Sequence, residues 1–113
     1  MVRGEIYLAN FPFGGTVGAK MRPILLLTDP VGPVPELLTA YLTTVMPSTP
    51  LATDLVFDPS QPEHASTGLK AVSVLRLHKL ATIHQSDIRR RLGAVSPTVW
   101  TVVEAKLRLL LGL

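Results

Sequence analysis

The chain has 113 residues and a mass of 12.2 kDa, enough for one domain with a buried core and too little for two. Hydrophobic residues make up 47% and charged residues 17%, a balance that excludes intrinsic disorder, and the lack of cysteine excludes disulfides and thiolate nucleophiles. Net charge is +3, but residues 57–113 hold eight of the eleven Lys and Arg side chains against four acidic ones, so a polyanion is drawn mainly to the second half.

No apolar stretch approaches the roughly 18 residues that cross a bilayer, and the opening MVRGEIYLAN lacks the apolar core of a signal peptide, so a cytoplasmic protein without membrane attachment is expected. The only imidazoles are His64, His78 and His84, too few for an evident metal site, and no metal or cofactor is expected.

Glu5 to Asn10 alternates polar and apolar residues and predicts a half-buried strand with Ile6 and Leu8 on one face. Phe11-Pro12-Phe13 and the glycines at 14, 15 and 18 then predict a mobile loop ahead of Arg22. Pro23 to Thr28 is a short apolar run ended by Asp29-Pro30, which fits a central strand buried on both faces. The stretch 30–35 carries three prolines and a glycine and predicts a loop; a strand rich in Thr, Tyr and Leu follows around Thr39 to Val45.

Leu55-Val56-Phe57 predicts a further short strand and Asp58 to Gly68 a polar connection. Ala71 to Leu77 alternates again, with Val72, Val74 and Arg76 on one side and Arg76 toward the rim of a sheet. Ser86 is a plausible N-cap for a brief helix through Leu92, stopped by Gly93. Ser96-Pro97 starts a second helix, in which Val99, Val103, Leu107 and Leu110 recur at helical spacing. Strands without strand–helix–strand alternation predict a mainly β domain over residues 1–113: a small curved barrel closed by a C-terminal helix.

Three stretches carry a family resemblance. The first is Arg3-Gly4-Glu5-Ile6-Tyr7, then Phe11-Pro12-Phe13, then Lys20-Met21-Arg22-Pro23 at the head of the apolar strand. The second is Leu42-Thr43-Thr44 at a strand end, and the third runs from Gly68-Leu69-Lys70 through Ser73-Val74-Leu75-Arg76 and Leu80-Ala81-Thr82-Ile83 to Leu92-Gly93. Together they cover most of the chain, and it resembles the PemK/MazF family of toxins.

The resemblance implies an SH3-like curved β-barrel of the kind shared with the CcdB family, with a short helix and a C-terminal helix. It also implies a homodimer that cleaves single-stranded mRNA in a groove at the dimer interface and is silenced by a cognate antitoxin. The expected catalytic residues are Arg22, Thr43, Arg76 and His78, and the expected RNA-binding residues are Lys20, Thr44 and Lys79. The sequence departs from the family in two places: Gly14 to Lys20 contains no carboxylate, and His78 stands where a member has an aspartate after the matching arginine.

Cleavage without a metal lets the ribose 2′-OH attack the adjacent phosphorus, leaving a 2′,3′-cyclic phosphate and a 5′-hydroxyl. It needs a proton acceptor, a donor for the leaving oxygen and cations around the developing charge. The guanidinium of Arg22 suits the last task because it can give phosphate two parallel hydrogen bonds and stays charged. His78 titrates near neutrality and, two residues from Arg76, shares its side of a regular strand.

Against these stand plain structural roles: a surface ion pair for Arg22, ordinary strand threonines at 43 and 44, and a structural His78. Arg89 to Arg91 read as solvated surface, and Trp100 with the Val99–Leu107 stripe reads as core. Two other functions stay open at this point, a non-catalytic toxin that binds DNA gyrase, as the CcdB family does, and a degenerate member that binds RNA or an antitoxin only.

Overall fold

The computed structural model describes residues 1–12 and 20–113. Its strands are β1 (Glu5–Phe11), β2 (Lys20–Leu26), β3 (Glu36–Thr43), β4 (Asp54–Phe57), β5 (Ser73–His84) and β6 (Ile88–Ala94), followed by the helix α1 (Pro97–Leu111). All strand pairings are antiparallel and form one sheet in the order β4-β5-β3-β2-β1-β6. The loop expected around Gly14, Gly15 and Gly18 lies outside the described residues.

Both faces of the sheet bury apolar side chains. Ile6, Leu25, Leu27, Ala40, Leu42, Leu75 and Leu77 pack on one face beneath Val99 and Val103 of α1, while Tyr7, Ala9, Phe11, Ile24, Leu26, Leu37, Ile83 and Ile88 cluster on the other. β2 is buried on both sides, as its unbroken apolar run predicts. β1 differs from expectation: Tyr7, Ala9 and Phe11 are buried like Ile6, so the strand is covered on both faces rather than one.

α1 begins where Ser96-Pro97 places it. The Ser96 Oγ accepts the Val99 N–H at 3.2 Å, Pro97 occupies the first turn, and Gly112 ends the helix with φ of 73°. Val99 and Val103 are buried, and Leu107, Leu110 and Trp100 pack against them as core. No helix among the described residues is long and apolar enough to cross a membrane.

The helix expected from Ser86 to Leu92 is not formed. Gln85–Asp87 makes one 3-10 turn, in which His84 Nδ1 accepts the Ser86 N–H at 3.2 Å, and the chain then runs extended as β6. The outer edge of β1 explains the difference: its open N–H and C=O groups take up residues 88–94, with two register shifts absorbing the misfit. Ile88 and Gly93 turn inward and Arg89, Arg90 and Arg91 outward. Tertiary pairing overrides a local cap signal here.

The barrel expected from sequence is also open. β4 and β6 are the two edges and do not pair with each other. The seam between them is filled by the 3-10 segment Pro62–Thr67, whose Ser66 Oγ donates to the Ala94 carbonyl at 2.8 Å. Two glycines permit this approach. A Cβ on Gly68 would stand 1.9 Å from the Leu92 carbonyl oxygen, and one on Gly93 would stand 2.3 Å from that of Ser66.

Candidate functional site

One cross-strand row spans all six strands: Asp54 lies opposite Arg76, Arg76 opposite Tyr41, Tyr41 opposite Ile24, Ile24 opposite Tyr7 and Tyr7 opposite Arg91. Directly paired residues share a face, so strand register alone lines up a carboxylate, two arginines and two tyrosines on the side of the sheet opposite α1.

Arg22 stands two residues before Ile24 on β2 and therefore shares that face. Its guanidinium carbon lies 5.1 Å from the centroid of the Tyr41 ring, within cation–π range. Its Nε is buried without a hydrogen-bond partner, and no carboxylate among the described residues pairs with it. The surface ion pair that would have made this arginine merely structural is absent among those residues.

Thr43, two residues beyond Tyr41, ends β3 on the same face, and its Oγ1 accepts the Val45 N–H at 3.1 Å. Thr44 follows after the strand and lines a cavity with Leu8 and Pro23, away from Arg22. The two adjacent threonines thus lie on different surfaces.

Arg76 is not at a rim: β5 is flanked by β4 and β3, and the side chain is 16% exposed. Its Nε stands 2.8 Å from Asp54 Oδ1, without the alignment of a hydrogen bond, so the attraction is chiefly ionic. The other Asp54 oxygen accepts the Leu51 N–H at 2.8 Å, which fixes the carboxylate.

His78 does not lie on a regular strand. Tyr41 and Ala40 are consecutive on β3, yet their partners are Arg76 and Leu80, so Leu77, His78 and Lys79 form a bulge in β5. The His78 Nδ1 is buried and unpartnered. Burial holds the imidazole pKa below its ordinary 6.5, the Arg76 cation and Lys79 add to that, and the Asp54 carboxylate opposes it. Lys79 shares the bulge, half-buried. Lys20 opens β2 opposite Phe11; its side chain lies outside the described residues.

At the far end of the row Arg91 Nε lies 2.6 Å from Glu5 Oε2, so one of the three consecutive arginines is paired rather than simply solvated. Burial works to raise the Glu5 carboxyl, but the hydrogen bonds from Arg91 and the Val2 N–H outweigh it, and the net shift is downward.

Tyr41 and Asp54 were not among the residues expected from sequence. Tyr41 was within reach, because a period of two puts it on the side of Thr43; Asp54 was not, because nothing local tells which strand lies beside it.

Fold and site together define a small antiparallel β protein that offers an arginine seated on a tyrosine and, among the described residues, without a carboxylate partner. Residues 2–111 match the PemK-like, MazF-like toxins of type II toxin–antitoxin systems, and the chain belongs to that family.

Among solved structures it is similar to an endoribonuclease in complex with its cognate antitoxin from a mycobacterial species, with a TM-score of 0.74 and 19% identity over 100% of this chain and 96% of that one. It is also similar to the Mycobacterium tuberculosis toxin MazF-mt6, with a TM-score of 0.74 and 24% identity over 96% of this chain and 97% of that one. At these identities the likeness is one of fold. No curated protein matches by sequence.

Proposed function

We propose that the protein is a toxin that cleaves single-stranded mRNA without a metal ion, giving a 2′,3′-cyclic phosphate and a 5′-hydroxyl. The observation that carries this reading is Arg22, whose guanidinium rests on Tyr41 with Nε buried and unpartnered. A cation already stripped of part of its water and given no carboxylate among the described residues suits an anion, and a phosphodiester supplies one. Family membership and the fold shared with endoribonucleases support the same reaction.

In this mechanism Arg22 and the Thr43 hydroxyl hold the non-bridging phosphate oxygens. His78, kept neutral by burial and by Arg76, takes the proton from the 2′-OH. That oxygen forms the bond to phosphorus as the bond to the 5′-oxygen breaks. Arg76, fixed by Asp54, adds a second positive charge next to the leaving oxygen, which takes a proton from water to become the 5′-hydroxyl while the His78 imidazolium returns its proton to solvent. Thr44, Lys79 and Lys20 are assigned to flanking nucleotides.

The working form is a homodimer, and its partner in the cell is an antitoxin; the complex of a similar endoribonuclease with its cognate antitoxin supports the latter. Incubation of purified protein with mixed single-stranded RNA in EDTA tests the proposal. Cyclic-phosphate ends should accumulate with wild-type protein and not with Arg22→Ala. Intact RNA at high protein concentration would refute it, and toxicity retained by Arg22→Ala together with DNA breaks would indicate a gyrase-directed toxin instead.

A further inference from the structure

A cavity of about 280 Å³ opens on the face of the sheet opposite Arg22, yet at the same end of the strands. Its wall is apolar, made by Leu8, Pro23, Leu69 and Leu92, and two cations, Lys70 and Arg90, stand on its lining with no acidic residue among them. Pro23 directly follows Arg22, and Thr44, also on the lining, directly follows Thr43. Crossing the strand ends from the Arg22 face to this cavity therefore takes one residue on each of two strands.

The wall is rigid where it matters. Gly68, at φ of 73°, lies so close to β6 that a Cβ would meet the Leu92 carbonyl oxygen at 1.9 Å, so the Gly68-Leu69 turn is pressed against Leu92. A preformed apolar slot slightly below the roughly 300–1,000 Å³ of small-molecule pockets suits one flat ring rather than a larger ligand. Two cations on a lining that carries no carboxylate favour an occupant whose ring is joined to negatively charged groups.

We infer that this cavity is a subsite for one unpaired nucleobase of the RNA, next to the cleaved bond, with the phosphates flanking that nucleotide on Lys70 and Arg90. The inference rests on the proposed cleavage reaction, and it assigns part of the choice of cutting sequence to the cavity rather than to Arg22. Single-stranded RNA is read in this manner, by bases splayed out into pockets while the backbone follows basic side chains.

The test uses a single-stranded oligonucleotide made wholly with 2′-O-methyl ribose, which binds but has no 2′-OH to attack, followed by fluorescence anisotropy with the full chain. An abasic residue is moved along the oligonucleotide one position at a time. With wild-type protein one position near the site should lose about tenfold in affinity.

Ala71→Phe, an exposed lining residue whose larger side chain fills the slot, should remove that position's sensitivity and leave the others. Lys70→Ala and Arg90→Ala should each lower the salt dependence of binding by slightly less than one ion. Wild-type protein that cleaves ordinary RNA but gives the same abasic profile as Ala71→Phe overturns the subsite alone. Wild-type protein that neither binds nor cleaves overturns the cleavage proposal with it.

Discussion

The Arg22 guanidinium lies 5.1 Å from the Tyr41 ring centroid and makes no ion pair among the described residues. The aromatic face holds the charge in place without neutralising it, which a carboxylate would do. Arg22→Ala should therefore lower the rate of RNA cleavage by on the order of 10²-fold or more. Arg22→Lys should recover little of it, because an ammonium cannot supply two parallel N–H groups. Tyr41→Leu should fall between, with the arginine present but poorly seated. Single-turnover cleavage of one defined RNA, beside thermal melts of each variant, separates these effects from loss of fold.

His78 gives a prediction about pH. Its folded pKa is depressed below 6.5, so near neutrality both folded and unfolded chains carry it uncharged. As pH falls below 6.5 the unfolded chain takes up the proton first, and stability present above 6.5 is lost until pH reaches the folded value. His78→Gln should lack that loss, measured as the urea midpoint between pH 7 and 5. If His78 is the base, the acid limb of kcat/KM lies below 6.5 in the wild type and disappears from what activity His78→Gln retains. A limb above 6.5 would contradict its burial.

Asp54 is 5% exposed and Arg76 16%. Removing one partner of a mostly buried pair leaves the other charge without compensation, so Asp54→Ala should cost about 3 kcal/mol of stability. It also removes the charge that opposes the His78 shift, and the acid limb should move to lower pH. Urea denaturation and a pH–rate profile measure the two consequences separately. Asp54→Asn keeps the size and an acceptor for the Leu51 N–H, so it should cost less stability than Ala while moving the limb in the same direction.

Gly68 and Gly112 both have φ of 73°, but only Gly68 faces backbone where a Cβ would stand. Gly112→Ala should cost about 1 kcal/mol, the conformational penalty alone. Gly68→Ala adds the collision with Leu92 and should cost several times as much, or fail to fold. Equal melting temperatures for the two variants would mean that the seam between β4 and β6 yields easily.

Much of this molecule was legible in its sequence. The apolar run after Arg22 marks β2, Ser96-Pro97 marks the start of α1, and Arg22, Thr43 and Arg76 come together on one face because strands of period two paired in register bring them there. What could not be read depends on distant parts of the chain. β6 is a strand because β1 has an open edge, and no cap signal near Ser86 reports that. The bulge at Leu77, His78 and Lys79 arises from the register of β3, and the Asp54–Arg76 pair from which strand lies at the edge.

That edge has a bearing on function. β4 has four residues and, among the described residues, one ladder partner, β5, which puts its amides among those that exchange at the least cost. Each time the strand peels back, the carboxylate leaves with it, and Arg76 loses the partner that fixes it. In the proposed mechanism the seating of Arg76 is thereby coupled to the breathing of an edge strand, and a ligand that clamps β4 in place would hold that charge steady without touching it.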